Sequence, residues 1–198
     1  MTKGYGPWVA LLVFTACGGG DAPDPAPEAA PATPAPAPAT AMPAPPTGPL
    51  TMPEWYAVDH DARTVRLTVT AGSTPDNNHW NFNGKIRGAS AIVVPEGYAV
   101  TIELVNRDPL MAHSLGIQAG FTNPMVPPTP DPAFDGAMTA NPQSVAESTL
   151  PGQSATIEFV ATTAGNYAMV CYVPGHAALG MWLYFDVSAD GEAGVRGA

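Results

Sequence analysis

From Glu54 onward the sequence breaks into short runs in which apolar and polar residues alternate, and a period of two commits a chain to strands. Val65, Leu67 and Val69 alternate with Arg66 and Thr68. Val100, Ile102 and Leu104 alternate with Thr101 and Glu103, and Ile157 and Phe159 with Thr156 and Glu158. Tyr167, Met169 and Cys171 share one face of a further run, and Trp182, Tyr184 and Asp186 share a face of the last. Ala91–Val94 is continuously apolar and stops at Pro95. Turn dipeptides separate the runs at Asn83-Gly84, Pro151-Gly152 and Ala164-Gly165, and no stretch sustains a helical period. The expectation is an all-β domain over 54–190, a sandwich of seven or eight strands, with 191–198 a flexible tail. Within it, Gln118–Ser144 is rich in Pro and Asn and reads as a long insertion, with a helical turn near Asp135–Met138.

The first 53 residues have a different character. Residues 1–17 carry one basic residue, Lys3, then an apolar run from Trp8 to Phe14, then Thr15 and Ala16 before Cys17. That is the order of an export signal, and the run is far short of the roughly 20 residues that span a bilayer. Cys17 at the boundary has the look of a lipoprotein cleavage site, which would leave the mature chain lipid-anchored to a membrane, outside the cytoplasm. Residues 18–53 are dominated by Ala and Pro and hold almost no aromatic or β-branched residues, so they read as a disordered, extended linker.

Charge narrows the partners. Seven basic residues against 17 acidic ones give a net charge of −10, which excludes nucleic acid, since phosphate neutralisation needs clustered Lys and Arg. The same charge suits a basic protein partner, because complementary fields speed encounter. The two cysteines, Cys17 and Cys171, lie in unrelated settings and are not expected to pair.

The candidate chemistry lies in the last hairpin, Cys171-Tyr-Val-Pro-Gly-His176-Ala-Ala-Leu-Gly-Met181. A thiolate, an imidazole and a thioether at C-x4-H-x4-M spacing form a soft donor set that suits copper. A second imidazole comes from His113, in the segment Leu110-Met-Ala-His113-Ser-Leu-Gly116 after the run that ends at Asn106. Two His, one Cys and one Met make up a blue-copper donor set. Taken singly, each has a plainer reading: Cys171 and Met181 as core residues, His113 as a buried polar group. Four donors in this order argue against coincidence. His60 and His79 lack metal-ligand spacing and read as surface or hydrogen-bonding residues.

On Asn81-Phe-Asn-Gly84, the Asn106…His113-Ser114 segment and Cys171…Pro174-Gly-His176…Gly180-Met181-Trp182, the chain resembles the cupredoxin family, in its sulfocyanin and rusticyanin branch. The resemblance implies a Greek-key β-sandwich with one mononuclear type 1 copper ion. His113, Cys171 and His176 would lie in the equatorial plane and Met181 in the axial position, with Ser114 helping to fix the copper loops. It also implies a monomer that carries single electrons, is not an enzyme, and exchanges them with redox proteins such as a cytochrome or a terminal oxidase. His176 would then lie near the surface as the electron port, inside an uncharged collar of Pro174, Gly175, Ala177, Ala178 and Leu179 joined by Met111 and Ala112. The competing function is periplasmic copper storage or delivery, which favours clustered exposed Met and His; Met42, Met52, Met111, Met125 and Met138 are dispersed. A copper enzyme of the oxidase or nitrite reductase kind needs His-x-His pairs, and the sequence has none.

Overall fold

The computed structural model describes residues 42–197 together with Met1. The signal segment, Cys17 and the linker up to residue 41 lie outside the described residues. Among the described residues, nine strands form two facing sheets. One contains, in spatial order, β1 (Tyr56–Asp59), β2 (Thr64–Ala71), β4 (Ala99–Asn106) and β6 (Ser154–Val160). The other contains β5 (Gly116–Gln118), β7 (Gly165–Val170), β8 (Trp182–Ser188), β3 (Ala91–Pro95) and β9 (Gly194–Arg196). The chain crosses between sheets often enough that two neighbouring pairs, β2 with β4 and β3 with β8, run parallel while the rest are antiparallel.

The alternating runs become strands with one face inward. On β2, Val65, Leu67, Val69 and Ala71 are buried; on β4, Val100, Ile102, Leu104 and Asn106 are buried; on β6, Ile157 and Phe159. In-register pairing sets Val65 beside Val100, Leu67 beside Ile102 and Val69 beside Leu104, so a single apolar layer forms between the sheets. β8 differs, because it lies inside the five-stranded sheet and is buried on both faces. Leu183, Phe185 and Val187 join the layer between the sheets. Trp182 and Tyr184 point the other way, into a second cluster with Ala91, Ala168, Val170 and Tyr172.

That second cluster explains where two expected boundaries move. Its outer side is met by Met42, Phe121 and Met138, so apolar surface is available to the end of the Pro-rich segment and to the insertion. Residues 42–53, expected to belong to a disordered linker, are therefore docked. The Tyr184 hydroxyl donates to the Pro43 carbonyl, and Thr51 and Val195 exchange two backbone hydrogen bonds of 3.0 and 2.9 Å. The flexible tail expected at 191–198 is likewise corrected: Gly194–Arg196 forms β9 on the edge of β3, with Val195 fully buried. The domain thus runs beyond 54–190 at both ends.

The insertion also has a core role. Phe134 stacks on Phe159 with centroids 5.5 Å apart and planes at 5°. Ile117 N–H donates to Ala137 and Ala133 N–H to Ile117. The expected helical turn near Asp135–Met138 is a single tight turn, closed by Ala137 N–H on the Phe134 carbonyl at 3.0 Å.

If β9 is structural, a chain ending at residue 190 will unfold at lower denaturant than the full chain, whereas loss of a free tail would leave the midpoint unchanged. Ile102→Ala should cost about 2–5 kcal/mol in the same measurement, because it opens a cavity between the sheets.

Candidate metal centre

The loops at one end of the sandwich converge. Cys171 is the first residue past β7 and Met181 the last before β8, and Cys171 N–H donates to the Met181 carbonyl at 3.1 Å, extending the hairpin by one step. Between them the chain curls tightly. His176 N–H donates to Val173 at 3.1 Å, Leu179 N–H to Gly175 at 3.1 Å and Met181 N–H to His176 at 2.9 Å. Gly180 is required in that curl, since its φ is +110° and a Cβ there would lie 2.6 Å from Arg87 Cγ. Arg87 closes the loop from outside through its N–H to Gly180 (2.8 Å) and its guanidinium to Leu179 (3.1 Å).

His113 reaches the same point from the β4–β5 connection. Its N–H and C=O pair with Thr149 at 3.0 and 3.1 Å, and Ser148 Oγ donates to its carbonyl at 2.7 Å. Buried Asn106, the last residue of β4, donates to the carbonyls of Met111 and Thr149 at 2.8 Å each and accepts from Asp108 N–H. The connection is thereby tied to the sheet by side chains as well as backbone.

Three donor atoms meet there. His113 Nδ1 and His176 Nδ1 are 3.2 Å apart, and Cys171 Sγ lies 3.9 and 3.5 Å from them. His113 and Cys171 are fully buried, His176 is 1% exposed, and Met181, which closes the same loop, is fully buried. Ser114 braces the sulfur through its N–H at 3.4 Å, its Oγ lies 3.7 Å from the same sulfur, and that Oγ accepts from Tyr172 N–H at 2.8 Å. The four residues singled out in the sequence are brought together.

The electrostatics prepare the nitrogens for a cation. Asp108 Oδ2 lies 2.9 Å from His113 Nε2, so Nε2 carries the proton and the Nδ1 lone pair is left bare. Burial opposes ionisation of Asp108, but the Leu110 N–H, the His113 ring and the Met111 N–H outweigh it and hold the carboxyl below its usual range. Burial holds His113 below the ordinary histidine value against the pull of Asp108, with His79 adding in the same sense as burial. Burial and then the neighbouring His113 bring His176 down to about 4. Burial pushes the Cys171 thiol up, against the Ser114 hydrogen bonds. Two neutral imidazoles facing each other at 3.2 Å, one buried sulfur and a thioether in the same loop fit a copper ion; the thioether is a donor that harder cations avoid.

Three features were not visible in the sequence reading. Asp108 was not singled out, although it is the one acidic residue between Asn106 and His113. Trp80 was not singled out either, and nothing local marks it. His176 was expected near the surface; its ring instead lies beneath Trp80, stacked at 3.9 Å and 18°. His60 has the expected surface role, 3.1 Å from the Tyr98 hydroxyl. His79 does not: it is half-buried, and its Nδ1 is enclosed without a hydrogen-bond partner among the described residues.

A two-sheet β-sandwich with two histidines, one cysteine and one methionine gathered at one end defines a cupredoxin, a protein that binds one type 1 copper ion. Residues 54–193 match the family model of the sulfocyanin (SoxE) domain, and the chain belongs to that family. Sulfocyanin of Sulfolobus acidocaldarius is 33% identical over 127 residues, which cover 61% of this chain and 61% of that protein's own length. Among solved structures, a rusticyanin mutant aligns at 25% identity and a TM-score of 0.47 over 68% of this chain and 87% of its own. Reduced auracyanin from Roseiflexus castenholzii aligns at 22% and 0.44, over 62% and 96%.

Because His176 titrates near 4 when folded and near 6.5 when unfolded, the unfolded chain binds more protons between those values, and stability rises with pH there. Metal-free protein should therefore lose stability as pH falls from about 6.5 to about 4, and copper-loaded protein should lose at least as much, because its ligands are held deprotonated when folded and take up protons when unfolding releases the metal. Denaturation midpoints of both forms across that window check this.

Proposed function

We propose that this protein is a carrier of single electrons, with His113, Cys171, His176 and Met181 holding its copper. The observation that supports this reading is the burial of every donor: three ligand atoms lie within 4.8 Å of one another on residues no more than 1% exposed. Bound there, copper supplies a one-electron Cu(I)/Cu(II) couple. The chain's own contribution is to hold the donors still. His113 is fixed by Thr149 and Asp108, Cys171 by Ser114 and Met181, and His176 by Val173 and Trp80. Ligands that keep their places between the two charge states leave little to reorganise, which lowers the barrier to electron transfer. Apolar burial disfavours the extra charge of the oxidised state, and the Asp108 carboxylate counters it.

The same burial separates this reading from copper storage or delivery, in which an acceptor has to reach the ligands and displace them. Four protein donors would also fill the copper's coordination, which favours a carrier over an enzyme that binds its substrate at the metal. The partners would be redox proteins such as a cytochrome or a terminal oxidase, met by a monomer outside the cytoplasm, in the periplasm or at the cell surface, on a lipid anchor at Cys17. Around the site Pro174, Gly175, Leu179 and Leu110 are exposed, whereas Ala112 and Ala177 of the anticipated collar are buried. A patch of this kind suits brief contacts, which keep redox encounters weak.

Copper-loaded protein should be intensely blue when oxidised, and should give a reversible one-electron wave in voltammetry. Cys171→Ser should abolish the blue colour, since the visible band requires a copper–thiolate bond. Met181→Gln should keep copper and lower the reduction potential; an unchanged potential would show that Met181 is not a ligand. Asp108→Asn keeps an acceptor for His113 Nε2–H and removes a buried negative charge, so its potential should rise while the colour stays.

A further inference from the structure

The ring of His176 does not meet solvent; an indole does. Trp80 lies on the β2–β3 connection and is only half-buried, and its ring covers the imidazole face to face at 3.9 Å and 18°. The backbone that sets it there is unusual. Asn77, Asn78 and His79 all have left-handed φ, at 53°, 58° and 65°, a conformation that side chains other than Gly rarely take in succession. Fully buried Asn81 holds this turn closed. Its Nδ2 donates to Thr74 and Asp76 at 2.9 and 3.1 Å, and its Oδ1 accepts from Ser73 Oγ and Gly84 N–H. Asn77 adds a bond from Nδ2 to the Trp80 carbonyl at 2.8 Å. Among the described residues the indole gains no hydrogen bond from this placement, since its Nε1 is enclosed without a partner there. What the strained turn secures is the stack on His176.

Resting on the electron-carrier reading, we propose that electrons enter and leave this protein through the indole of Trp80, stacked on the copper-ligating His176. Two parallel π faces in van der Waals contact couple electronically far better than an imidazole separated from its partner by a layer of side chain or water. The indole is a bridge and is not itself oxidised. In exchange between two copies, one copper is oxidised from Cu(I) to Cu(II) as the other is reduced, with no proton moved and no bond made or broken. With hexacyanoferrate(III) as oxidant, Cu(I) loses the electron that reduces the iron to hexacyanoferrate(II).

The test uses copper-loaded protein. Electron self-exchange, read from NMR line broadening in mixtures of the two oxidation states, should fall several-fold in Trp80→Leu and stay near wild type in Trp80→Phe. Both variants should keep the wild-type visible spectrum. The ring protons of His176 in the reduced protein should lose their upfield ring-current shift in Trp80→Leu alone, which reports the stack without reference to rate. A Trp80→Leu protein that exchanges as fast as wild type, or faster, would make the indole a water shield and overturn the proposal. A second comparison leaves Trp80 untouched. Asp76→Asn, four residues before the indole, should speed oxidation by hexacyanoferrate(III) more than Asp190→Asn, past the far end of β8; equal effects would also overturn it. If wild-type protein itself gave no reversible one-electron wave, the carrier reading would fail instead, so the two failures are distinct.

Discussion

Two imidazole nitrogens 3.2 Å apart, with a sulfur less than 4 Å from both, are held together in the interior of the fold. With His113 Nε2–H directed at Asp108, His113 Nδ1 can only accept, so without a metal the two rings can share at most one hydrogen bond, donated by His176. A cation that accepts from both nitrogens and the sulfur at once takes the place of that bond. The two sheets fix the ends of β4, β7 and β8, and the loops that carry the three atoms start from those ends.

That holding force has several sources. Backbone bonds carry the geometry of the hairpin loop and of the His113–Thr149 bridge. Side chains then specify what backbone cannot. Asp108 decides which nitrogen of His113 is protonated, and Ser114 sets the direction from which the sulfur is approached. A carboxylate in this place has a second effect, because it brings negative charge to a ligand whose environment is otherwise apolar. The site is therefore a balance of apolar burial, which favours the reduced charge state, and one buried anion, which favours the oxidised one. Trp80 completes the enclosure on the His176 side by stacking on its ring.

Much of this was legible in the residues. The period-two runs mark β2, β4 and β6, because a strand with one face against a core has to alternate. The Cys171–His176–Met181 spacing marks the ligand loop, because three donors from one short loop are neighbours by covalent geometry alone. Other parts were hidden for a physical reason. Asp108 becomes a partner of His113 only when the connection between them curls back on itself, and a five-residue separation does not say that it will. Trp80 is almost a hundred positions from His176 in sequence, and only a run of left-handed residues aims it. Met42 and Thr51 lie in a segment whose composition describes its own inability to form a core. Composition is silent on whether another part of the chain offers it one.

The sequence by itself determined that the domain would be all-β, that copper would be its metal, and which four residues were candidates to hold the ion. These follow from local periodicity and from donor chemistry, both of which survive being read along a line. Only the tertiary structure decided that the domain starts before Glu54 and includes β9, that His113 is paired with a carboxylate, and that His176 is covered rather than exposed. Each of those depends on which distant surfaces happen to meet, and contact between distant surfaces is a property of the packed sheets rather than of any stretch of chain.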